Sequence, residues 1–154
     1  MKITTLGYLI HEGSYLMLHR TKKANDPNHA KWIGVGGHVE NGETPDECFI
    51  REVSEETGLT LHSLRLRGIV TFISDEWEDE LMFLYTSDDF SGTLIECNEG
   101  DLAFVPTDRI LSLPLWEGDR IFLRELMEDA PFFTLKLNYQ GDTLIESVLD
   151  KSPL

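Results

Sequence analysis

The most constraining feature of the sequence is a helix whose two ends are both marked by capping residues. Thr44 can cap the amino terminus, Pro45 suits the first helical position, and Glu47 completes a capping box with Thr44. Gly58 then supplies the left-handed stop that ends many helices. The pattern predicts one helix over residues 44–57, and any fold of this chain must accommodate it.

Three glutamates of this helix fall on one side of it. At 100° per residue, Glu52, Glu55 and Glu56 lie within an arc of about 100°, and the side chains of Phe49 and Val53 occupy the adjoining arc. The carboxylates thus lie at the edge of the face that the helix must bury. Like charges at this spacing repel, and more strongly when half buried, so the group calls for a compensating cation.

Two explanations of the acidic group are open from the helix alone. Arg51 can pair with Glu55 four residues later, but one arginine cannot neutralise three glutamates. A solvated acidic helix face is the commonest meaning of such a run. A divalent-ion site is the alternative, because Gly37 and Glu43 precede the helix at fixed offsets and Mg²⁺ prefers oxygen ligands of this kind.

The segment also matches a known family motif. Written along the chain, the pattern is Gly37, five residues, Glu43, seven residues, and then Arg51-Glu52-Val53-Ser54-Glu55-Glu56-Thr57-Gly58-Leu59. This string resembles the Nudix box without a departure at any defining position. With ordinary residue frequencies, a match at all of these positions arises by chance on the order of once in a billion starting points.

The resemblance implies a fold, a reaction and a set of roles. The implied fold is the Nudix fold, an α/β/α sandwich around a mixed β-sheet, and the implied reaction is hydrolysis of a nucleoside diphosphate linked to another group. In the family the box binds Mg²⁺ or Mn²⁺ against the diphosphate, where a metal neutralises phosphoryl charge and activates water. Carried over, Glu55 and Glu56 are principal metal ligands, Glu52 is a ligand or the base that orients water, Gly37 is a carbonyl ligand, and Arg51 braces the carboxylates.

Strand-like segments outnumber helical ones in the rest of the chain. The residue patterns predict strands at 3–10, 15–19, 64–74, 81–87, 132–139 and 143–149 and a second helix at 118–129. At least three connections are expected to be hairpins, and residues 20–38 are expected to be irregular. These elements indicate an α+β fold with helices packed on a mixed sheet. No repeat or linker divides the sequence, so residues 1–154 are expected to form one domain.

Charge and composition limit the class of protein. The net charge of −15, from 13 Lys and Arg against 28 Asp and Glu, argues against a protein that coats a nucleic-acid polymer, because such binding needs clustered cations. The two cysteines, Cys48 and Cys97, are too few for a disulfide framework and suit a reducing compartment. The sequence has no signal-peptide core and no stretch near the roughly 20 apolar residues of a membrane span. We expect a cytoplasmic protein without a membrane partner; no pattern indicates an oligomeric state.

A small basic cluster stands out against this acidic background. Residues 1–35 contain five cations and two anions, and Arg20, Lys22 and Lys23 lie shortly before the glycine-rich segment. These three side chains are candidates for contacts with the phosphates of a substrate. The alternative is that they are solvated loop residues, which is the more frequent role of such side chains.

Resemblance outside the box narrows the choice of substrate class. The segments 32–37, 99–110, 116–119 and 132–142 resemble the MutT-type hydrolases of oxidised purine nucleotides, so that nearly the whole chain is covered. Trp116 and Phe72 are candidates for stacking a purine, and Asp119 is a candidate for hydrogen bonding its edge. Core packing is the alternative for the two aromatic residues, and a favourable charge at a helix start is the alternative for Asp119.

Three further positions qualify this resemblance. Ile33 stands where the animal MutT-type enzymes have a base-reading asparagine, and Gly118 stands where they have the first of two adjacent aspartates. Both departures bear on recognition of the base. Glu99 matches an acidic position that can approach the metal from a loop, although one more surface acid is an equally good explanation in so acidic a chain.

Three hypotheses of function remain open at the level of the sequence. The first is a metal-dependent pyrophosphohydrolase, with Mg²⁺ or Mn²⁺, that converts an oxidised purine nucleoside triphosphate such as 8-oxo-dGTP to monophosphate and pyrophosphate. The second keeps the chemistry but acts on ADP-ribose, a dinucleoside polyphosphate or a nucleotide sugar. The third is a non-catalytic ligand sensor, which the intact Glu52, Glu55 and Glu56 disfavour because a binding module need not retain them.

Overall fold

A computed structural model of the protein describes residues 1–22 and 25–151. Its strands are β1 Lys2–His11, β2 Ser14–Arg20, β3 Trp32–Ile33, β4 Leu59–Leu61, β5 Arg65–Ser74, β6 Glu80–Ser87, β7 Phe90–Gly92, β8 Gly100–Pro106, β9 Phe133–Gln140 and β10 Thr143–Asp150. Its helices are α1 Pro45–Thr57, α2 Thr107–Ile110 and α3 Glu117–Met127. Within the described ranges, no helix has both the length and the apolar character needed to cross a membrane.

Most of the strands belong to one mixed sheet. Its order is β10-β9-β5-β6-β1-β2-β3, and β8 pairs with β2 outside that path. The β1–β6 and β5–β9 pairs are parallel, and the other neighbours in this sheet are antiparallel. β4 and β7 form a separate antiparallel ribbon. The mixed sheet that the sequence predicts is therefore confirmed.

The sheet has an apolar core on each face. Neighbouring residues of a strand point to opposite faces. Tyr8 of β1 belongs to the core that contains Phe122 of α3, whereas Leu9 belongs to the core that contains Phe49 of α1. All four side chains are fully buried. The sheet thus separates α1 from α3, which confirms the predicted α/β/α sandwich.

A glycine in β1 lets α1 pack closely on the sheet. The ring of Phe49 stacks on Tyr85 of β6 with 4.9 Å between the ring centroids. A Cβ atom at Gly7 would lie 2.5 Å from Phe49 Cε1 and 2.7 Å from the backbone oxygen of Tyr85. Since such contacts are not tolerated, any larger residue at position 7 would push α1 away from the sheet.

Both ends of α1 agree with the predicted caps. The Glu47 amide donates to Thr44 Oγ1 at 3.1 Å, and the Thr44 amide donates to Glu47 Oε1 at 3.0 Å. At the other end Gly58 has a φ of 79°, and its amide donates to the Ser54 carbonyl at 3.0 Å. The caps therefore fix where the helix begins and ends.

The elements that sequence patterns miss are short or depend on tertiary contacts. β4 and β7 have three residues each and pair only with one another, and α2 is a single turn. β8 lies between Gly100 and Pro106 and pairs along its whole length with β2. The expectation that residues 20–38 are wholly irregular is wrong at Trp32–Ile33, because these residues pair with the outer part of β2.

We predict that Thr44→Ala lowers the free energy of unfolding by about 1 kcal/mol, because it removes the side-chain acceptor of the Glu47 amide. Thr44→Ser keeps a hydroxyl at this position and should retain most of the stability. Urea unfolding of the two variants and the parent protein measures the difference. Equal losses in Thr44→Ala and Thr44→Ser would contradict the capping role.

Candidate active site

Arg51 lies at the centre of the carboxylates that the family motif specifies. Its Nε donates to Glu43 Oε2 at 2.7 Å and its Nη2 to Glu43 Oε1 at 2.9 Å, which is a bidentate pair. Its Nη1 donates to Glu52 Oε1 at 2.8 Å and to Glu55 Oε2 at 3.2 Å. The Arg51–Glu55 pair that the helix spacing predicts is present, but the shorter contacts of Arg51 are to Glu43 and Glu52.

The bidentate pair shifts the titration of Glu43. The hydrogen bonds from Arg51 lower the pKa of Glu43 from 4.5 to about 2, and the Glu40 amide contributes a further hydrogen bond. The hydrogen bonds of Arg51 to Glu43 and Glu52 in turn raise the pKa of Arg51 further above its ordinary value. Both groups therefore stay charged under all ordinary conditions, and Arg51 is committed to holding the loop before α1 against the helix.

The glycine-rich segment before α1 runs antiparallel to β1. Val35 and Gly7 exchange both backbone hydrogen bonds, and the Thr5 amide donates to the Gly37 carbonyl at 2.8 Å. In an antiparallel pair the residue between two such positions directs its amide and carbonyl away from the partner strand. Gly36 occupies that position, so its backbone polar groups point away from β1. A Cβ atom at Gly36 would collide with the Thr5 carbonyl group.

The side chain of Glu56 meets the segment at this point. The Gly36 amide donates to Glu56 Oε2 at 3.3 Å. Burial raises the pKa of Glu56 well above its ordinary value, and the nearby charges of Glu99 and Glu52 raise it further. Without a cation, the partly buried cluster thus favours a proton on Glu56 over three adjacent negative charges.

The donor set suits a hard divalent cation that is shared with a ligand. Among the residues that the structure describes, no three His, Cys, Asp or Glu side chains form a complete metal cage. Mg²⁺ does not require such a cage, because it usually binds one or two carboxylates together with water and phosphate oxygens. The crowded oxygens of Glu52 and Glu56 offer those carboxylates. A Cβ atom at Gly37 would lie 2.6 Å from the Glu52 carboxylate, so only glycine leaves this space open.

The ligand atom predicted at Gly37 is engaged elsewhere, and Gly36 offers a second candidate. The Gly37 carbonyl accepts the Thr5 amide, so its role as a metal ligand stays a prediction. In an extended strand the amide and carbonyl of one residue point to the same side, so the Gly36 carbonyl is a candidate oxygen on the side where the Gly36 amide meets Glu56. The pair of adjacent glycines in the sequence does not tell which of the two faces the site.

The predicted phosphate contacts lie beside the carboxylates but have partners of their own. Arg20 Nε donates to Asp26 at 2.6 Å, and Arg20 Nη1 donates to Glu99 at 2.8 Å. Lys22 Nζ donates to the Cys97 carbonyl at 2.6 Å. Lys23 lies outside the described residues. Glu99 therefore lies near both Arg20 and Glu56. This is where an acidic residue of this loop has to lie if it is to approach a cation bound at Glu56.

The three candidates for base recognition lie in the wall of one cavity. Phe72 of β5, Trp116 just before α3 and Asp119 in its first turn line this cavity, which has a volume of about 230 Å³. Ligand pockets for larger molecules typically measure about 300–1,000 Å³. The size suits a planar ring system better than a whole nucleotide. We call this space the base cavity.

The ring of Trp116 is held from several sides. Its Nε1 donates to Asn28 Oδ1 at 2.8 Å, and Tyr139 packs against it edge to face with 5.4 Å between the centroids. The ammonium group of Lys31 lies 4.7 Å from the ring centroid, within the range of a cation–π contact. These contacts fix the position of the ring in the cavity wall. Asn28 and Lys31 lie in a segment that sequence patterns predict to be irregular, so their contacts with Trp116 could not be predicted.

Asp119 is a buried acid without a hydrogen-bonding partner for its side chain in the described part of the protein. It is 5% exposed, and burial raises its pKa to about 7, with a further contribution from the charge of Glu80 and an opposing one from Lys31. A buried polar group without a partner is costly, and such groups are often functional. The helix-dipole alternative explains the sequence position of Asp119 but not its place in the cavity wall.

Both departures from the MutT-type pattern lie at or beside the base cavity. Ile33 lines it with an apolar side chain. The Gly118 amide donates to the Tyr139 hydroxyl at 2.8 Å, and a Cβ atom at position 118 would lie 2.7 Å from that oxygen and 2.5 Å from Leu137 Cδ1. The Tyr139 side chain therefore excludes an aspartate at position 118 in this arrangement.

We predict that Glu43→Gln destabilises the protein at neutral pH and much less in acid. The folded state holds Glu43 ionised down to about pH 2, whereas the unfolded chain binds a proton near pH 4.5. The stabilisation by Glu43 is therefore complete above about pH 5 and is lost as the pH falls towards 2. Urea unfolding of both proteins over this range, without divalent ions, measures the difference.

The matched control is Glu40→Gln, because Glu40 is exposed and lies 3.7 Å from Arg51. A surface pair of this kind contributes little, so its removal should change stability slightly at every pH. A difference between Glu43→Gln and the parent protein that does not shrink in acid would refute the account of Glu43.

Known proteins are similar to this chain in sequence. The chain matches the NUDIX domain family over residues 2–126. The Uncharacterized Nudix hydrolase YvcI of Bacillus subtilis is 32% identical over 107 residues, which cover 66% of this chain and 68% of that protein. An oxidized purine nucleoside triphosphate hydrolase of Danio rerio is 29% identical over 153 residues, which cover 97% of this chain and 95% of that protein.

A solved structure has the same fold as this chain. The crystal structure of a MutT protein from Bacillus halodurans superposes with a TM-score of 0.88 at 25% sequence identity, and the match covers 99% of this chain and 100% of that chain. The likeness thus includes the sheet, both helix layers and the β9–β10 hairpin. The family match spans most of the sequence and includes the clustered carboxylates of α1. The chain accordingly belongs to the Nudix family of hydrolases, which act on pyrophosphate bonds and generally use divalent metals.

Proposed function

We propose that the protein is a metal-dependent pyrophosphohydrolase of oxidised purine nucleoside triphosphates, such as 8-oxo-dGTP, and releases the monophosphate and pyrophosphate. One observation carries the proposal. Ile33 lines the base cavity, and Gly36 contacts the Glu56 carboxylate. Three residues of extended chain span about 10 Å. A nucleotide with its base in the cavity can therefore direct its phosphates to the carboxylates.

The carboxylates of α1 have the role of holding the cation. Glu55 and Glu56 are the proposed principal ligands, with Mg²⁺ as the first choice and Mn²⁺ as the second. A bound divalent ion neutralises the developing charge on the phosphoryl oxygens and lowers the pKa of a bound water. Arg51 keeps Glu52 and Glu55 oriented through its hydrogen bonds at 2.8 Å and 3.2 Å. Glu52 is either a ligand or the base that orients the attacking water.

The loop residues beside this cluster have the role of contacting the phosphates. Arg20 and Lys22 are the candidates on the described chain, and Lys23 is a third by its position in the sequence. Arg20 now pairs with Asp26 and Glu99, so binding a polyphosphate there requires it to exchange a carboxylate for a phosphate oxygen. Glu99 would then lose its contact with Arg20, and its position in the sequence suggests a role in approaching the cation.

The walls of the base cavity have the role of selecting the base. Trp116 and Phe72 offer aromatic surfaces for stacking, which contributes about 1–3 kcal/mol per base. Asp119 offers a hydrogen-bonding carboxyl group at the edge of the ring. The relative from Danio rerio, an oxidized purine nucleoside triphosphate hydrolase, supports the choice of this substrate class. Ile33 and Gly118 differ from the MutT-type pattern, so the base must be recognised with a partly different set of groups.

The proposal extends to the domain, the location and the partner of the protein. We propose one catalytic domain over residues 1–154, a cytoplasmic location, and a small nucleotide as the partner rather than a nucleic-acid polymer or a membrane. The alternative substrates are ADP-ribose, a dinucleoside polyphosphate and a nucleotide sugar, which would use the same carboxylates. A non-catalytic sensor is the remaining alternative, and the intact carboxylate cluster argues against it.

We predict that Glu56→Gln lowers turnover by more than about tenfold at limiting Mg²⁺, because it removes a charge that holds the cation while keeping the shape of the side chain. The same variant should lose the rise in melting temperature that Mg²⁺ gives the parent protein beyond that of NaCl at equal ionic strength. Steady-state turnover and thermal unfolding measure the two effects.

Glu47→Gln on the same helix is the matched control, because glutamine also completes a capping box. It should leave both the turnover and the response to Mg²⁺ unchanged. Full activity of Glu56→Gln at limiting Mg²⁺ would remove Glu56 from the site. Equal temperature shifts with the two salts in the parent protein would mean that Mg²⁺ only screens the net charge.

We predict that Asp119→Asn lowers kcat/KM for the oxidised nucleotide by about 1–3 kcal/mol in transition-state terms, because it weakens a hydrogen bond to the base edge. Activity on the unmodified nucleotide should fall less. Trp116→Ala should weaken both, since stacking does not distinguish the edges. A turnover screen with 8-oxo-dGTP, dGTP, ADP-ribose and a dinucleoside polyphosphate, with the products resolved, supplies the comparison.

Two outcomes of this screen would reject the substrate class. One is an equal loss for 8-oxo-dGTP and dGTP in Asp119→Asn. The other is a parent enzyme that prefers ADP-ribose to every triphosphate. In both cases the hydrolysis of a pyrophosphate bond would stand, and the assignment to oxidised purine nucleoside triphosphates would be rejected.

A further inference from the structure

The base cavity contains a second acid whose position the sequence did not single out. Glu80, the first residue of β6, lines the cavity together with Asp119. The hydroxyl of Thr4 donates to Glu80 Oε2 at 2.6 Å, and the ammonium group of Lys2 lies 3.7 Å from Oε1. These contacts hold the carboxylate, while 25% of the side chain remains exposed.

The two acids are close enough to influence one another. After burial, the charge of Glu80 is the largest contribution to the raised pKa of Asp119. No residue in the described ranges donates a hydrogen bond to the Asp119 carboxyl, although the residue is only 5% exposed. A buried acid without a donor, beside a second carboxylate, favours a ligand that brings N–H groups to the cavity.

Four other residues at the cavity do not offer an unpaired acceptor to the N–H groups of a ligand. Ile33 has no hydrogen-bonding side chain, and Gly118 has no side chain at all. The Trp116 Nε1 group is already paired with Asn28, and the Tyr139 hydroxyl accepts the Gly118 amide. The aromatic rings can stack a base but do not distinguish its edge. Glu78 also lines the cavity but its side chain is 59% exposed, so Glu80 and Asp119 are the two largely buried carboxyl groups in the cavity wall.

We propose that Glu80 is a second specificity-determining residue of the base cavity, which acts with Asp119 to select bases whose edge presents several N–H donors. This inference rests on the proposed function, in which the cavity takes the base. An ionised carboxylate can only accept hydrogen bonds. The 8-oxo form of guanine has an added N–H at position 7 on the opposite edge, whereas both forms present a ring N–H and an exocyclic amino group along the Watson–Crick edge. Thymine and uracil each present a single ring N–H at the same edge.

The test measures binding of three monophosphates by isothermal titration calorimetry without divalent ions. dIMP lacks the exocyclic amino group of dGMP, and 8-oxo-dGMP adds a donor to dGMP. In the parent protein we expect affinity to rise along the series dIMP, dGMP, 8-oxo-dGMP. In Glu80→Met at least one of the two affinity ratios should fall by about tenfold, the usual effect of losing a hydrogen bond to a charged group.

Glu78→Met is the matched control, because Glu78 also lines the cavity and belongs to the same hairpin but is 59% exposed and pairs with the terminal amine. It should leave both ratios within about twofold of the parent values, since solvent already competes for its carboxylate. Should Glu80→Met fail to fold, Glu80→Gln replaces it. Glutamine keeps one acceptor oxygen, so the expected fall in that variant is about threefold.

Three results would overturn the inference. The first is that both ratios in a folded Glu80 variant stay within about twofold of the parent values. The second is an equal change in Glu78→Met, which would indicate a general effect of charge. The third is equal affinity of the parent protein for all three monophosphates. Failure to hydrolyse any triphosphate would instead refute the proposed function, and the binding ratios would remain readable.

Discussion

The close contact between the glycine-rich segment and its two neighbours is the constraint on which the site depends. On one side, Gly36 lies so near the Thr5 carbonyl group that a Cβ atom would collide with it. On the other side, Gly37 leaves room for the Glu52 carboxylate, which would otherwise be 2.6 Å from a Cβ atom. The backbone thus approaches both β1 and α1. Because of this approach, Glu56 of the helix accepts a hydrogen bond from the Gly36 amide.

The balance of charge at the site follows from this packing. Arg51 donates hydrogen bonds to Glu43, Glu52 and Glu55, and so it is shared among three acids. Glu56 is not among its partners, and its raised pKa reflects burial and the charges of Glu99 and Glu52. One arginine stabilises the architecture of the loop and helix but leaves a local excess of negative charge. A divalent cation is the kind of ligand that removes this excess while it also attracts phosphate.

Local patterns predicted α1 with both its caps, the long strands and the mixed sheet, because capping and periodicity are written in neighbouring residues. The same patterns missed β8, whose pairing with β2 brings Glu99 beside Arg20, because that contact joins distant parts of the chain. The carboxylates of α1 could be singled out from one motif. The role of Glu80 could not, since nothing near it in the sequence indicates that β1 and β6 place it beside Asp119.

Selection of the base and the chemistry at the phosphates are carried by different parts of the fold. The glycine-rich segment and α1 hold the carboxylates, whereas the base cavity is lined by residues of β1, β3, β5, β6, β9 and the start of α3. In that cavity the residues are coupled by contact: the Tyr139 hydroxyl accepts the Gly118 amide and fills the space of a larger side chain at position 118. A larger residue at position 118 therefore requires a change at Tyr139 or Leu137, and not in α1. This separation explains how the chain can keep every defining residue of the Nudix box while it departs from the MutT-type pattern at Ile33 and Gly118.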